Sequence, residues 1–375
     1  MVEIFGNVLN IQWQQVVMWI LGGILIYLAI KKNMEPALLL PMGFGAILVN
    51  LPFSGAVDQI YAGASEVEPG VIDLLFNSGI ANELFPLLLF IGIGAMIDFG
   101  PLLSNPKMML FGAAAQFGIF FTFSIASLFG FEMKDAASIA IIGAADGPTS
   151  IFVANYFQSN FIGPIIVAAY SYMALVPIVQ PPIIKLLTTK KERLIRMPYK
   201  EKSISKTTRI LFPIVVTIIT GIIAPRAVAL IGFLMFGNLI RECGVLNSLS
   251  ESAQNVLANL ITLLLGLTVA AKMQASAFLN PQTLLILGLG LIAFIFDTAG
   301  GVIFAKVINI FLKEKINPMI GAAGISAFPM SARVVHKMGL AEDKQNFLLM
   351  HAVGANVSGQ IASVIAGGLI LNFLG

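Results

Sequence analysis

The sequence of 375 residues has few of the side chains from which soluble enzymes build active sites. Its single cysteine, Cys243, excludes an intrachain disulfide bond and any metal site made of cysteines. Two histidines, His336 and His351, leave little for a histidine-rich metal centre or a Ser-His-Asp triad. The net charge of +3 is too small to indicate a nucleic-acid partner.

Charged residues are also scarce, at 11% against roughly 25% in soluble domains. Hydrophobic residues make up 58% of the chain and the mean hydropathy is +0.91, so a water-soluble fold could not hide the apolar surface. The composition predicts an all-α polytopic membrane protein. Apolar windows near bilayer-spanning length predict ten spans, at about 16–31, 36–52, 82–98, 107–130, 160–187, 209–224, 226–241, 255–272, 281–300 and 344–373.

Two further apolar stretches, residues 136–157 and 316–332, contain too much glycine and proline for a continuous helix. Irregular backbone at membrane depth is tolerated only inside protein or beside water. We therefore expect both stretches to be re-entrant hairpins or broken helices.

The distribution of charge predicts the orientation. The longest polar loop, 188–208, carries seven Lys or Arg residues against two Glu, so the positive-inside rule places it in the cytoplasm. The loop 53–81 has four acidic residues and no basic one, which is typical of the outer side. Threading ten spans and two hairpins through these loops places both termini outside.

The two halves of the chain resemble each other. Ile142-Gly-Ala-Ala in the first hairpin recurs as Ile320-Gly-Ala-Ala in the second, and other short matches have offsets between about 175 and 189. Chance similarity of Gly/Ala-rich segments is the alternative. Each half has five predicted spans, which is an odd number. The second half is therefore expected to be inverted relative to the first, as in many ion-coupled transporters. The predicted units are residues 1–187 with hairpin 136–157, the basic loop 188–208, and residues 209–375 with hairpin 316–332.

Asp146 is the most informative residue, because it lies in the first hairpin with no basic residue between Lys134 and Lys185. A charge at the bilayer centre costs about 2.5–3.5 kcal/mol on insertion scales. A bound cation or a proton would offset that cost, and the oxygen-rich neighbourhood suits Na⁺ or H⁺ better than a soft metal. The alternatives are a buried structural aspartate and a contact between helices through Gly143-x-x-x-Gly147.

Neutral oxygens on the second hairpin and the last span can complete a sodium site. Asn317 and Ser326 lie on that hairpin, with Gly321 and Gly324 between them, and Asn356 interrupts the last span. Each is equally explained as a polar group that packs helices together.

Three other residues have two explanations each. Tyr172 can bind a cation or pass a proton, or it can simply pack with one hydrogen bond. Arg333 can hold an incoming carboxylate at the cytoplasmic mouth or can fix the topology. Asp297, in the ninth predicted span, either neighbours the site or does not contribute to it.

The motifs around these residues resemble the beta subunit of the biotin-dependent, sodium-translocating decarboxylases, which act on oxaloacetate, methylmalonyl-CoA, glutaconyl-CoA or malonate. The resemblance extends from about residue 20 to the C-terminus. Its most specific segments are Gly94-Ala-Met-Ile-Asp-Phe-Gly-Pro-Leu-Leu, Gly143-Ala-Ala-Asp-Gly-Pro-Thr, Gln180-Pro-Pro-Ile and Asn317-Pro-Met-Ile-Gly-Ala-Ala-Gly-Ile-Ser-Ala-Phe-Pro-Met.

The resemblance implies that carboxybiotin, brought by a partner biotin carrier, is decarboxylated at this subunit, with consumption of a proton and outward transport of Na⁺. It also implies an elevator-like fold, a homotrimer, an alpha (carboxyltransferase) subunit, a small gamma or delta subunit and a location in the inner membrane. The family's cation-binding and functional positions fall on Asp146, Tyr172, Asn317, Gly321, Ser326, Arg333 and Asn356.

The residues alone, without the resemblance, leave two other functions open. An autonomous Na⁺- or H⁺-coupled carboxylate transporter would use the same inverted halves without a partner. A purely structural membrane anchor would explain the hydrophobicity, but it would not explain Asp146 or the two broken segments.

Overall fold

The computed structural model describes residues 10–59, 66–199 and 203–375. Part of the predicted external loop, and Lys200, Glu201 and Lys202 of the basic loop, lie outside the described residues. Within the described residues the chain is all helical, and the single isolated β-bridge joins Gln59 to Glu68. The prediction of an all-α fold is confirmed.

The helices of the first half follow the apolar windows closely. Helix α10 is the longest of them and ends at Leu187, where the polar loop begins. Its bounds and those of the preceding helices are α1 Trp13–Lys32, α2 Pro36–Val49, α3 Val71–Gly79, α4 Leu84–Met96, α5 Gly100–Ser104, α6 Met109–Ala115, α7 Phe117–Leu128, α8 Met133–Ala140, α9 Gly147–Tyr156 and α10 Ile162–Leu187.

The second half begins with a single turn in the basic loop and ends with α20, which reaches almost to the C-terminus. A π-helical segment, Ser252–Leu257, joins α14 to α15. The helices are α11 Lys190–Arg193, α12 Lys206–Ile223, α13 Val228–Cys243, α14 Asn247–Glu251, α15 Ala258–Val269, α16 Ala275–Phe278, α17 Pro281–Phe311, α18 Met319–Ala322, α19 Met330–Glu342 and α20 Leu349–Leu374.

The predicted count of ten spans is too high. Among the described residues, seven helical segments are long and apolar enough to cross a membrane, or eight if α3 and α4, bent by 63°, form one span. Helix α2 has 14 residues and is about 21 Å long, against a hydrocarbon core of about 30 Å. Helix α13 has 16 residues. A helix ends where its backbone turns, and a hydropathy window does not detect that.

The helix is interrupted in both glycine- and proline-rich stretches. In the first, α8 passes into the 3₁₀ turn Ile141–Ala144 and the chain then breaks at Ala145 and Asp146 before α9 begins. Ala145 has a φ of +52°, a left-handed conformation that costs a non-glycine residue energy. In the second, irregular backbone separates α18 from α19. We call these segments, residues 133–156 and 319–342, the first and second broken elements.

The breaks in both elements are buried among α6, α7, α17 and α20. Close backbone approach is essential there, since an added Cβ on Gly359 of α20 would lie 2.2 Å from the carbonyl oxygen of Gly324. A side chain at that position would clash with main-chain atoms. Glycine therefore lets α20 pack directly against the break in the second element.

The basic loop is folded against α19. Arg193 forms an ion pair with Glu342, and Arg196 forms one with Asp343, each at 2.6 Å. The side-chain amides of Asn317 and Asn346 both donate hydrogen bonds to the carbonyl of Arg193, at 2.9 Å each. The described part of the loop therefore covers the end of the second broken element. The side of the membrane on which it lies stays a prediction.

Candidate ion-binding site

Asp146 lies at the break in the first broken element and caps α9. Its Oδ1 accepts a hydrogen bond from the backbone N–H of Thr149 at 3.2 Å, and its Oδ2 accepts one from the Thr149 hydroxyl at 2.7 Å. An aspartate before a proline-containing first turn is a favourable N-cap. The residue is only 3% exposed, so its carboxylate is held inside the protein by the helix end.

The last helix reaches the same carboxylate. The hydroxyl of Ser363 on α20 donates a hydrogen bond of 2.8 Å to Oδ2 of Asp146. The second broken element joins this junction through the backbone N–H of Ser326, which donates to the carbonyl of Ala144 at 3.0 Å. Asp146 therefore lies where both broken elements and α20 meet.

A polar stripe on α20 faces the break in the second element. The side-chain amide of Asn356 donates to the carbonyl of Ile325 at 2.7 Å, and that of Gln360 donates to the carbonyl of Ser326. The Ser326 hydroxyl donates in return to the carbonyl of Gly359 at 2.9 Å. Because 356, 360 and 363 are spaced by about one helical turn, these side chains share one face of α20.

Two oxygens in this stripe have no hydrogen-bond partner. Oδ1 of Asn356 and Oε1 of Gln360 are both buried and unpartnered. A buried amide oxygen without a partner carries a desolvation cost of about 1–3 kcal/mol. A carboxylate and neutral amide oxygens are the kinds of ligand that a hard monovalent cation prefers. The donor set of the junction therefore fits Na⁺.

The negative charge of Asp146 has no basic partner in the part of the chain that the structure describes, because none of its ion pairs includes this residue. The aromatic ring against the junction is that of Tyr170, which lies 2.5 Å from where a Cβ on Gly147 would be. The Tyr170 hydroxyl is buried and unpartnered. A bound cation would supply the missing positive charge.

The structure brings together three of the predicted site residues, Asp146, Ser326 and Asn356. The others lie elsewhere. The Tyr172 hydroxyl donates to the carbonyl of Leu287 on α17, and the side chain of Asn317 is bonded to the basic loop. Gly321 packs against Gly301 of α17, and Arg333 is exposed on α19.

Sequence reasoning missed Gln360, Ser363 and Tyr170. The first two follow Asn356 at helical spacing along an otherwise apolar helix, and that periodicity would have identified them. Tyr170 and Tyr172 face different sides of α10, and only the packing distinguishes which of them lies beside Asp146.

The fold and the site together define a polytopic helical membrane protein with a buried carboxylate at the meeting point of two interrupted helices, a class that includes ion transporters. The chain belongs to the family described as the Na⁺-transporting oxaloacetate decarboxylase beta subunit, whose sequence model matches residues 14–374. The family predicted from the motifs is confirmed.

Curated relatives resemble the chain over nearly its whole length. The beta subunit of methylmalonyl-CoA decarboxylase from Propionigenium modestum is 49% identical, over 96% of this chain and 95% of the relative. The beta subunit of glutaconyl-CoA decarboxylase from Acidaminococcus fermentans is 48% identical, over 97% of this chain and 94% of the relative. The oxaloacetate decarboxylase beta chain of Haemophilus ducreyi is 46% identical, over 98% and 97%.

Proposed function

We propose that this chain decarboxylates carboxybiotin delivered by a partner biotin carrier and couples the reaction to outward transport of Na⁺. Loss of CO₂ from carboxybiotin leaves a biotin nitrogen that takes up one proton, so each turnover consumes one proton. The family and the names of the relatives support this proposal.

The observation that carries the proposal is the ligand set at Asp146. Na⁺ is proposed to bind the Asp146 carboxylate together with oxygens of Ser326, Asn356 and Gln360, with Ser363 orienting the carboxylate. The two unpartnered amide oxygens support this set, because a bound cation would compensate for their burial. The substrate acid of the whole complex is chosen by another subunit and is not part of this proposal.

We propose that the units 1–187 and 209–375, linked by the loop 188–208, are inverted repeats of an elevator-like carrier. The rings of Phe121 and Phe296, whose centroids are 4.1 Å apart, support this arrangement. These positions differ by 175 residues, the offset of one sequence match, as expected for residues beside a pseudo-two-fold axis. Tyr172, Asn317 and Gly321 would join the ion site only in another position of the carrier.

Carboxybiotin is proposed to approach from the cytoplasm. The exposed side chains of Arg333 and Lys337 on α19 lie on the helix that the basic loop covers, and they offer positive charge to a carboxylate. The proposed partners are the alpha (carboxyltransferase) subunit, the biotin carrier and a small gamma or delta subunit. We propose a homotrimer in the cell inner membrane.

The experiment is Asp146→Asn in the purified decarboxylase complex. We expect Na⁺-dependent decarboxylation to be lost while the complex stays assembled. Asp135→Asn is the matched control, since Asp135 is a buried acid of the same broken element that accepts its hydrogen bonds from Ser159 and Asn160. Full Na⁺-dependent activity of Asp146→Asn would reject the site. Solute uptake by the isolated chain without a biotin carrier would instead support the autonomous transporter.

A further inference from the structure

A second buried carboxyl group, that of Asp297, lies outside the junction just described. Asp297 is fully buried on α17, and neither of its carboxyl oxygens has a hydrogen-bond partner. Oδ1 lies 2.4 Å from where a Cβ on Gly118 would be, and Oδ2 lies 2.9 Å from the same point on Gly143. The carboxyl group therefore fills the space left by two glycines, one on α7 and one on the first broken element.

No charged group balances it. In the described parts of the chain, no ion pair includes Asp297. The charged residues of the surrounding elements lie toward their ends or at the junction, and they are Lys107, Glu132, Lys134, Asp135, Asp146, Lys185 and Lys306. Lys306 is nine residues further along α17, about 13 Å away, and pairs with Glu192 at 3.3 Å. An ion this well buried without a partner is strongly disfavoured.

The surroundings do not suit a metal ion either. Beside the two glycine positions that the carboxyl group fills, the nearest atoms are those of Asp297 itself and of Ala293, whose carbonyl supplies one oxygen, whereas Na⁺ needs several converging oxygens. A proton needs only one acceptor. The carbonyl oxygen of Ala293, one helical turn before Asp297 on α17, lies 2.5 Å from the same Cβ point on Gly118 and is the backbone acceptor nearest to that point.

One neighbouring element, the start of α7, favours negative charge. Gln116 interrupts the helix, so α7 begins at Phe117, and Gly118, against which the Asp297 carboxyl packs, lies in its first turn. Neither oxygen of the carboxyl group accepts a hydrogen bond in this structure. First-turn N–H groups at a helix N-terminus favour negative charge. A group that releases and regains a proton needs one environment that favours its neutral form and another that favours its ionised form.

We propose that Asp297 is a proton-binding site of the transport core, separate from the cation site at Asp146. It holds one proton in the conformation described here and exchanges it during turnover. The inference rests on the proposed function, in which each decarboxylation consumes a proton. The contact of Asp297 with Gly143, three residues before Asp146, places the protonated group against the element that carries the cation ligand.

The test is infrared difference spectroscopy of the purified complex in H₂O and D₂O, with and without Na⁺. We expect a protonated carboxylic C=O band that shifts in D₂O during turnover, is absent in Asp297→Asn and is retained in Thr298→Val, a matched change at the next buried residue of α17. Absence of this band from the wild-type protein, or a band that does not exchange during turnover, would overturn the inference.

Kinetics separate this inference from the proposed function. Asp297→Asn is expected to lower turnover at least tenfold while the Na⁺ concentration for half-maximal activity changes less than twofold. If Asp297→Asn turns over and takes up protons as the wild-type protein does, the proton site is rejected and the proposed function is not. Absence of Na⁺-dependent decarboxylation in the wild-type complex would instead reject the proposed function.

Discussion

Ser363 donates a hydrogen bond of 2.8 Å to Oδ2 of Asp146, across 217 positions of the chain. The bond joins the last helix to the first broken element, and its acceptor is the carboxylate proposed to bind Na⁺. The same hydroxyl oxygen also lies 3.1 Å from the carbonyl oxygen of Gln360, an alternative acceptor for its one proton. One side chain thus connects the carboxylate to the polar stripe of α20.

Replacing Ser363 with alanine removes that hydrogen bond and leaves the carboxylate less well oriented. Hydrogen bonds to charged groups contribute about 1.5–3 kcal/mol, so we expect the Na⁺ concentration for half-maximal decarboxylation to rise roughly tenfold or more. Ser363→Thr, which keeps a hydroxyl, should restore most of the affinity. An alanine variant with unchanged Na⁺ dependence would show that this bond has no part in ion binding.

Asn356→Ala removes an unpartnered oxygen from the polar stripe of α20, and we expect Na⁺ affinity to fall by about tenfold for one lost ligand. Asn238 is the matched control, because it is also buried, donates to the carbonyl of Ile97 at 2.9 Å and has an unpartnered Oδ1. Asn238→Ala should lower thermal stability without changing Na⁺ dependence. Equal effects of the two variants on Na⁺ affinity would contradict a specific role for Asn356.

Gly359→Ala tests the close approach of α20 to the second broken element. The added Cβ would lie 2.2 Å from the carbonyl oxygen of Gly324, so α20 must move away from the break, at a cost of roughly 1–3 kcal/mol or more. Gly288 on α17 is the control, since an added Cβ there meets nothing within 4 Å. We expect the melting temperature of the purified protein to fall by several degrees in Gly359→Ala and to stay level or rise in Gly288→Ala.

The docking of the basic loop should depend on Glu342 more than on Asp343. The Arg193–Glu342 pair is mostly buried, with side-chain exposures of 13% and 16%, whereas Arg196 is 56% exposed, and exposed pairs contribute little. Glu342→Gln is therefore expected to speed tryptic cleavage of the loop several-fold, and Asp343→Asn less than twofold. The reverse order would show that the exposed pair holds the loop.

The pH dependence of that docking has a definite sign. The hydrogen bond from Arg196 lowers the pKa of Asp343 below its ordinary value of 3.8. A carboxylate with a lowered pKa contributes fully above its unfolded-state pKa and loses the contribution only as the pH falls through the lower, folded-state value. Between about pH 5 and 8, we therefore expect Asp343 to cause no change in the hydrogen-exchange protection of the loop. A loss within that interval that Asp343→Asn abolishes would contradict this assignment.

Parts of this structure were predictable because they depend on local chemistry. Glycine and proline at high density break a helix wherever they occur, and the lone aspartate of such a segment, Asp146, lies buried at the break as its sequence position suggested. The polar stripe of α20 was predictable in principle from its spacing, although only Asn356 was named from the sequence. The all-α fold followed from the apolar windows.

The remaining features depend on long-range packing. The sequence gives no sign that Asn317 bonds to the carbonyl of Arg193, because that contact joins residues 124 positions apart. The choice between Tyr170 and Tyr172 depends on which side of α10 the first broken element packs against. The pocket of Asp297 requires glycines on two other elements, which no local pattern on α17 reveals.

The central claim is that Na⁺ binds at Asp146, and equilibrium binding of radioactive Na⁺ to the purified complex tests it most directly. We expect saturable binding in the wild-type protein and in Asp297→Asn, and none in Asp146→Asn. Binding of Na⁺ to Asp146→Asn with wild-type affinity would contradict the claim.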